Sequence, residues 1–247
     1  MSMYSRLVRM LKRAVSDLAS LVFPDVCPVC GSMMSDGERF VCTACRYRIP
    51  LTGFCREADN PMWRKFWGLV PVERAAALYW FIDGSDWRRL IHDFKYGGKW
   101  LLAVRIGRWL GAELAAGGLY GDVDVVVPVP LHWRKRISRG YNQSEYIAEG
   151  VAHSLGVPCD FRSVRRRVNN PSQTQQRHGD RWGNVDGIFA VRHPQRLRGK
   201  HVLLVDDVFT TGATVISCAE AIFAACGGDV RVSVATVAAS RRELGEE

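Results

Sequence analysis

Asp206 and Asp207 close an apolar run, Val202 to Val205, and lead into the turn Phe209-Thr210-Thr211-Gly212-Ala213-Thr214. Two adjacent carboxylates can accept hydrogen bonds from ribose hydroxyls or reach a magnesium ion. Threonine hydroxyls and free N–H groups at a helix start can hold a phosphate. Acids, hydroxyls and glycine in this order suit a sugar phosphate. A second chemically competent set is Cys27-Pro-Val-Cys30 and Cys42-Thr-Ala-Cys45, with eleven residues between the pairs. Each pair forms a knuckle presenting two thiolates, and two knuckles complete a tetrahedral zinc site. Gly31 suits a knuckle turn, where positive φ is often needed. A redox CxxC or disulfides would leave two such pairs in one short, loop-rich segment unexplained. Cys27, Cys30, Cys42 and Cys45 are therefore read as ligands of a structural zinc. The third set is the arginine-rich stretch LHWRKRISRGYNQ, 131–143. Arginine offers planar, multidentate donors there that suit a pyrophosphate.

Periodicity identifies the elements that must position these groups. The β-branched run before Asp206 predicts a strand buried on both faces and ending at the acids. From Ala213 the spacing turns helical, with Ile216, Ala219, Ile222 and Phe223 on one face. Strand, loop and helix in that order put the loop at the carboxyl end of a parallel sheet, where open α/β folds bind ligands. Asp124 to Pro130 is a second buried strand, running into the arginine-rich loop and then a helix to about Leu155. Further strands are expected at Ala75–Ile82, Phe161–Arg166 and Val230–Ala238. Helices are expected at Gly84–Phe94 and Trp100–Ala116, parted by Lys95-Tyr96-Gly97-Gly98-Lys99. Residues 3–22 read as an amphipathic helix that docks on its own domain or a partner, with a membrane surface as the lesser alternative. Residues 169–184 are polar and aperiodic, as in a lid or a disordered loop. Trp63, Phe66 and Trp67 read as core in preference to a base-stacking platform.

The 247 residues suit one ordinary domain with a small appendage. Net charge is +9, and the window 131–181 holds ten Arg or Lys against four acids. Charge concentrated in this way implies an anionic partner, a phosphorylated small molecule or nucleic acid. No run approaches a membrane span, and no long apolar segment follows the basic N-terminus to make a signal peptide. A cytoplasmic protein with metal-bound and buried cysteines is expected, not a disulfide framework. Cys55, Cys159, Cys218 and Cys226 are read as spare or buried thiols.

The central stretch VLLVDDVFTTGAT resembles the loop that binds phosphoribosyl pyrophosphate (PRPP) in type I phosphoribosyltransferases. No lysine follows Gly212 as a Walker A loop requires, and Gly-x-Gly-x-x-Gly is absent. About 40 residues follow the motif, too few to complete a receiver domain. A plain βα turn needs less polarity than this one has. With VPVPLHWRKRISRGYNQSEYIA, VNNPSQTQQRHGDRWGNVDGIF and the cysteine knuckles in the same order, the chain resembles the ComF competence-protein family over about residues 25–240. The resemblance implies an α/β fold: a type I phosphoribosyltransferase-like parallel sheet flanked by helices, with a small N-terminal zinc-binding head. With residues 1–24 set aside as the amphipathic helix, it divides the chain into the head (25–58) and the phosphoribosyltransferase-like domain (59–240). It implies that Asp206 and Asp207 face the ribose 2′ and 3′ hydroxyls. Thr210, Thr211, Gly212, Ala213 and Thr214 would cradle the 5′-phosphate. Arg139, Gly140 and Asn142 would lie in the pyrophosphate loop, and Ser172, Gln173 and Arg177 in a mobile catalytic loop. A second cysteine pair in many relatives has only Cys55 as its counterpart here.

Two functions share these residues. One is magnesium-dependent phosphoribosyl transfer from PRPP to an unknown acceptor, in the setting of DNA uptake and natural competence. The other is a non-catalytic phosphoribosyl-type module handling single-stranded DNA through its basic face, with Trp133, Tyr141 and the zinc head along the track, beside other DNA-uptake proteins.

Overall fold

The computed structural model describes residues 25–167 and 187–246. The helix expected at 3–22 and the loop at 169–184 lie outside them. The chain forms two compact units that divide between Ile49 and Pro50. In the first, a bridge between Val26 and Met33 closes the first knuckle, and α1 (Thr43–Tyr47) follows the second.

The second unit is built on a four-stranded, wholly parallel sheet in the order β1 (Val72–Phe81), β6 (Arg231–Ser240), β5 (His201–Phe209) and β2 (Val125–Pro128). Its strands are nearly uniform apolar runs because both faces are covered; Ala75 to Tyr79 and Val202 to Val205 are buried throughout. α2 (Pro61–Arg64) precedes β1, capped by buried Asn60, whose side chain accepts from Trp63 N–H and donates to Ala75 O. α3 (Trp87–Tyr96) turns Trp87, Leu90, Ile91 and Phe94 inward at helical spacing. α4 (Trp100–Gly117) packs on α6 (Gln143–Leu155) so closely that a Cβ on Gly107 would lie 2.2 Å from Ile147 O, and one on Gly150 2.3 Å from Val104 O. Backbone-to-backbone approach of this kind is open only to glycine.

Between β2 and α6 the expected loop contains a short helix, α5 (Trp133–Arg139). β3 (Val164–Arg166) and β4 (Phe189–Val191) form a separate antiparallel pair, and Cys159 bridges to Val126 beside β2. α7 (Ala213–Cys226) connects β5 to β6, and α8 (Arg241–Leu244) follows. The face of α7 that is buried comprises Val215, Cys218, Ala219, Ile222 and Cys226; Ile216 and Phe223 are only half-buried, so the apolar stripe is turned from the one expected. At the amino end of the sheet Asp122 binds Arg74 at 2.8 Å and Arg231 at 2.7 Å and lies 3.2 Å from His201 Nδ1, tying β1, β6 and β5 together. No helix among the described residues is long and apolar enough to cross a membrane.

Candidate functional site

The two acids do not terminate their strand. β5 continues in register with β6 through both of them, pairing Asp206 with Thr236 and Phe209 with Ala239. The small residues of β6 in this stretch let the ladder run on past the apolar segment. Successive strand residues point to opposite faces, so the two carboxylates are held by different elements. Asp206 accepts a hydrogen bond from Ser144 Oγ at 2.8 Å, near the start of α6, and from the Asp207 N–H at 2.9 Å. Asp207 is paired at 2.8 Å with Lys95 at the end of α3. Burial, reinforced by the Asp207 charge, pushes the Asp206 carboxyl well above the usual carboxylate range, against the lowering hydrogen bonds. Two adjacent carboxylates could offer oxygen ligands to a hard dication such as magnesium.

Beyond the acids, the turn reaches α7 through Gly212, whose φ is 79° and whose Cβ would meet the Phe209 ring at 2.7 Å. Glycine is required there on both counts. Gly212 has no side chain with which to cap α7; the Ala213 N–H donates to Thr211 Oγ1 at 3.5 Å, and Thr210, Thr211 and Thr214 are exposed around this helix start. This is the arrangement that receives an anion.

Arg139 ends α5, where its guanidinium donates to Gln143 Oε1 at 3.0 Å and Tyr96 Oη at 3.1 Å and lies 5.0 Å above the Tyr96 ring. Gly140 follows with φ 81°. Buried Asn142 caps α6, accepting from Ser144 N–H while donating to Val129 O. Tyr141 is not a free stacking surface: its hydroxyl donates to Phe94 O and its ring packs on Tyr146. The structure thus brings Asp206, Asp207, Arg139, Gly140 and Asn142 into one network at the carboxyl end of the sheet. Ser172, Gln173 and Arg177 lie outside the described residues.

Lys95, Tyr96, Gln143 and Ser144 belong to this network without having been singled out by sequence. Lys95-Tyr96-Gly97-Gly98-Lys99 had a readable signal, two cations around a glycine pair, but served only as a helix break. Arg166, whose guanidinium lies 5.4 Å above the Phe189 ring, is a further neighbour whose charge reaches Asp206. Of the three aromatics before β1, Phe66 is core against Phe209, and Trp63 donates Nε1 to Val72 O.

In the first unit the sulfurs of Cys27, Cys30, Cys42 and Cys45 lie within 4.8 Å of one another, with Cys30 and Cys42 3.6 Å apart. Sulfurs bound tetrahedrally at about 2.3 Å stand about 3.8 Å apart, so the cluster fits a zinc ion. The N–H of Cys42 donates to Cys27 Sγ and that of Cys45 to Cys42 Sγ, both at 3.4 Å. Gly31 has φ 76°. Cys55 is buried in the second unit, where desolvation pushes its thiol up to about 12.

Known proteins resemble this chain over most of its length. The model of the phosphoribosyl transferase domain family matches residues 142–247. The DNA utilization protein YhgH of Salmonella typhimurium is 26% identical over 215 residues, covering 81% of this chain and 91% of the relative. The competence protein ComFC of Bacillus subtilis is 25% identical over 199 residues, covering 79% of this chain and 77% of its own. Among solved structures, phosphoribosylpyrophosphate synthetase from Mycobacterium smegmatis aligns with a TM-score of 0.32 and 21% identity, over 54% of this chain and 33% of that one.

Proposed function

We propose that the chain is a member of the ComF competence-protein family, binds PRPP with magnesium at the carboxyl end of β5 and acts in DNA uptake. The observation that carries this reading is the pair Asp206–Asp207, buttressed by Ser144 and Lys95, beside the start of α7 and its exposed threonines. Thr210, Thr211 and Thr214, with the N–H groups about Gly212 and Ala213, hold the 5′-phosphate. Asp206 and Asp207 accept from the ribose hydroxyls and steady positive charge on the sugar. Arg139 turns from Tyr96 and Gln143 to donate to the pyrophosphate, helped by the backbone at Gly140 and Asn142. Arg177 is assigned as the second catalytic arginine. Asp206 and Asp207 would hold magnesium, which would supply charge neutralisation there. The zinc head is structural, and the cytoplasm is the compartment of action.

Calorimetric titration of magnesium-PRPP into the zinc-loaded chain tests this, beside Asp206→Ala/Asp207→Ala. Binding lost in the variant supports the pocket, and pyrophosphate release with a nitrogen acceptor would establish transfer. Absence of binding to either protein removes the reading. A second reading, a non-catalytic pocket in a protein that handles single-stranded DNA through its basic face, is favoured by the names of the relatives. It requires strand binding that weakens steeply with salt.

A further inference from the structure

Behind the arginine-rich loop lies a cleft whose lining shares only Asn142 with the residues assigned to the phosphoribosyl site. It occupies about 440 Å³ between the β2–α5 connection and the β3–β4 pair. Trp133, whose ring packs on His132 at 5.5 Å, stands 56% exposed and Phe161 46% exposed at its rim. Arg162, Arg165 and Arg192 line it, and all three are exposed. Among the described residues none of the three makes a side-chain ion pair. Arg136, on the opposite wall, is already committed to Glu145 at 3.2 Å.

The cleft is built firmly. The Asp160 carboxylate accepts from the N–H groups of Arg162 and Ser163 at 2.8 and 2.9 Å and from Ser163 Oγ at 2.5 Å. Arg192 N–H donates to Ser163 O at 2.7 Å, so Phe161, Arg162 and Arg192 are carried on fixed backbone. Guanidinium groups arranged around an anion give multidentate, charge-assisted hydrogen bonds, and exposed aromatic rings beside them accept a planar base. The volume falls within the range of small-molecule pockets, whereas a non-specific single-strand site extends over several nucleotides.

We infer that this cleft binds a mononucleotide, with its phosphate on Arg162, Arg165 and Arg192 and its base against Trp133 and Phe161. This goes beyond the PRPP reading and does not need it. The test is calorimetric titration of deoxynucleoside monophosphates into the full, zinc-loaded chain. Arg162→Ala/Arg192→Ala is compared with the parent, with circular dichroism as the control for folding. Saturable binding that falls at least about tenfold in the variant is expected, while PRPP affinity stays within about twofold. Phe161→Ala should weaken the monophosphate about fivefold or more and leave free phosphate unaffected. Absence of binding, or equal binding by the variant, overturns the inference. Ribose 5-phosphate binding as tightly as the nucleotide overturns the role of the rings. Affinity that keeps rising with oligonucleotide length overturns the mononucleotide in favour of a strand. Failure of PRPP to bind while the monophosphate still does would remove the phosphoribosyl reading and leave this one standing.

Discussion

Asp206→Asn should stabilise the fold while removing the ligand site. Asp206 is half-buried, beside a second carboxylate, and its carboxyl is pushed up to about 7. An unfolded-chain aspartate titrates near 3.9. Because the folded value is the higher one, the folded state holds a proton that the unfolded state has released. Stability therefore falls as pH rises between those two values and is flat above the upper one. Moving a carboxyl across that interval costs about 4 kcal/mol above pH 7. Asparagine keeps an acceptor for Ser144 and the Asp207 N–H, but its new amide group needs a partner of its own, at about 1–2 kcal/mol. The expected net gain at pH 8 is about 2–3 kcal/mol, or roughly 4–12 °C in Tm for a chain of this size. At pH 5 only about a third of the titration interval has been crossed, so the carboxyl costs only about 1.5 kcal/mol there and the gain should all but vanish. Differential scanning calorimetry at the two pH values measures this, with magnesium-PRPP titration alongside. A lower Tm at pH 8, or an equal gain at pH 5, would refute the burial and repulsion assigned to Asp206.

Lys95→Met leaves the Asp207 carboxylate without its cation and should destabilise by about 1–3 kcal/mol in urea denaturation. Adding Asp207→Asn should return most of that loss, because it removes the orphaned charge. Gly107→Ala should cost about 1–3 kcal/mol despite alanine's better helix propensity, since its Cβ would fall 2.2 Å from Ile147 O. Exhaustive chelation should release one zinc per chain, measured with a chromogenic dye. It should remove amide-exchange protection around residues 27–45 while β5 and β6 keep theirs; two zinc ions per chain would contradict the four-cysteine site.

What was legible in sequence was whatever a short window can carry. The knuckles were readable because metal geometry imposes spacing on neighbouring cysteines, and β2 and β5 because burial on both faces leaves unbroken apolar runs. The end of β5 was not readable. Whether Asp206 and Asp207 stay in the ladder depends on the small side chains of β6, about thirty residues away. The orientation of α7 went astray for a related reason: with Ile216, Ile222 and Phe223 beside Val215 and Cys218, its surface is apolar over too wide an arc for periodicity to choose one face. Lys95 and Ser144 were hidden by distance along the chain. Neither carries a motif, and each acquires its role only when α3 and α6 are packed against the sheet.

That dependence on packing also explains why the site contains unusual glycines far from any ligand. Gly107, Gly111 and Gly150 let α4 and α6 meet backbone to backbone, and α6 in turn delivers Asn142 and Ser144 to the acids. A branched residue at any of these glycines would push α6 outward. The 2.8 Å Ser144–Asp206 hydrogen bond would lengthen before the sheet itself was disturbed. The carboxyl at Asp206 would then lose one of the two hydrogen bonds that favour its charged form, and its protonation would reach still higher pH. Helix packing and carboxylate charge are in this way one coupled quantity.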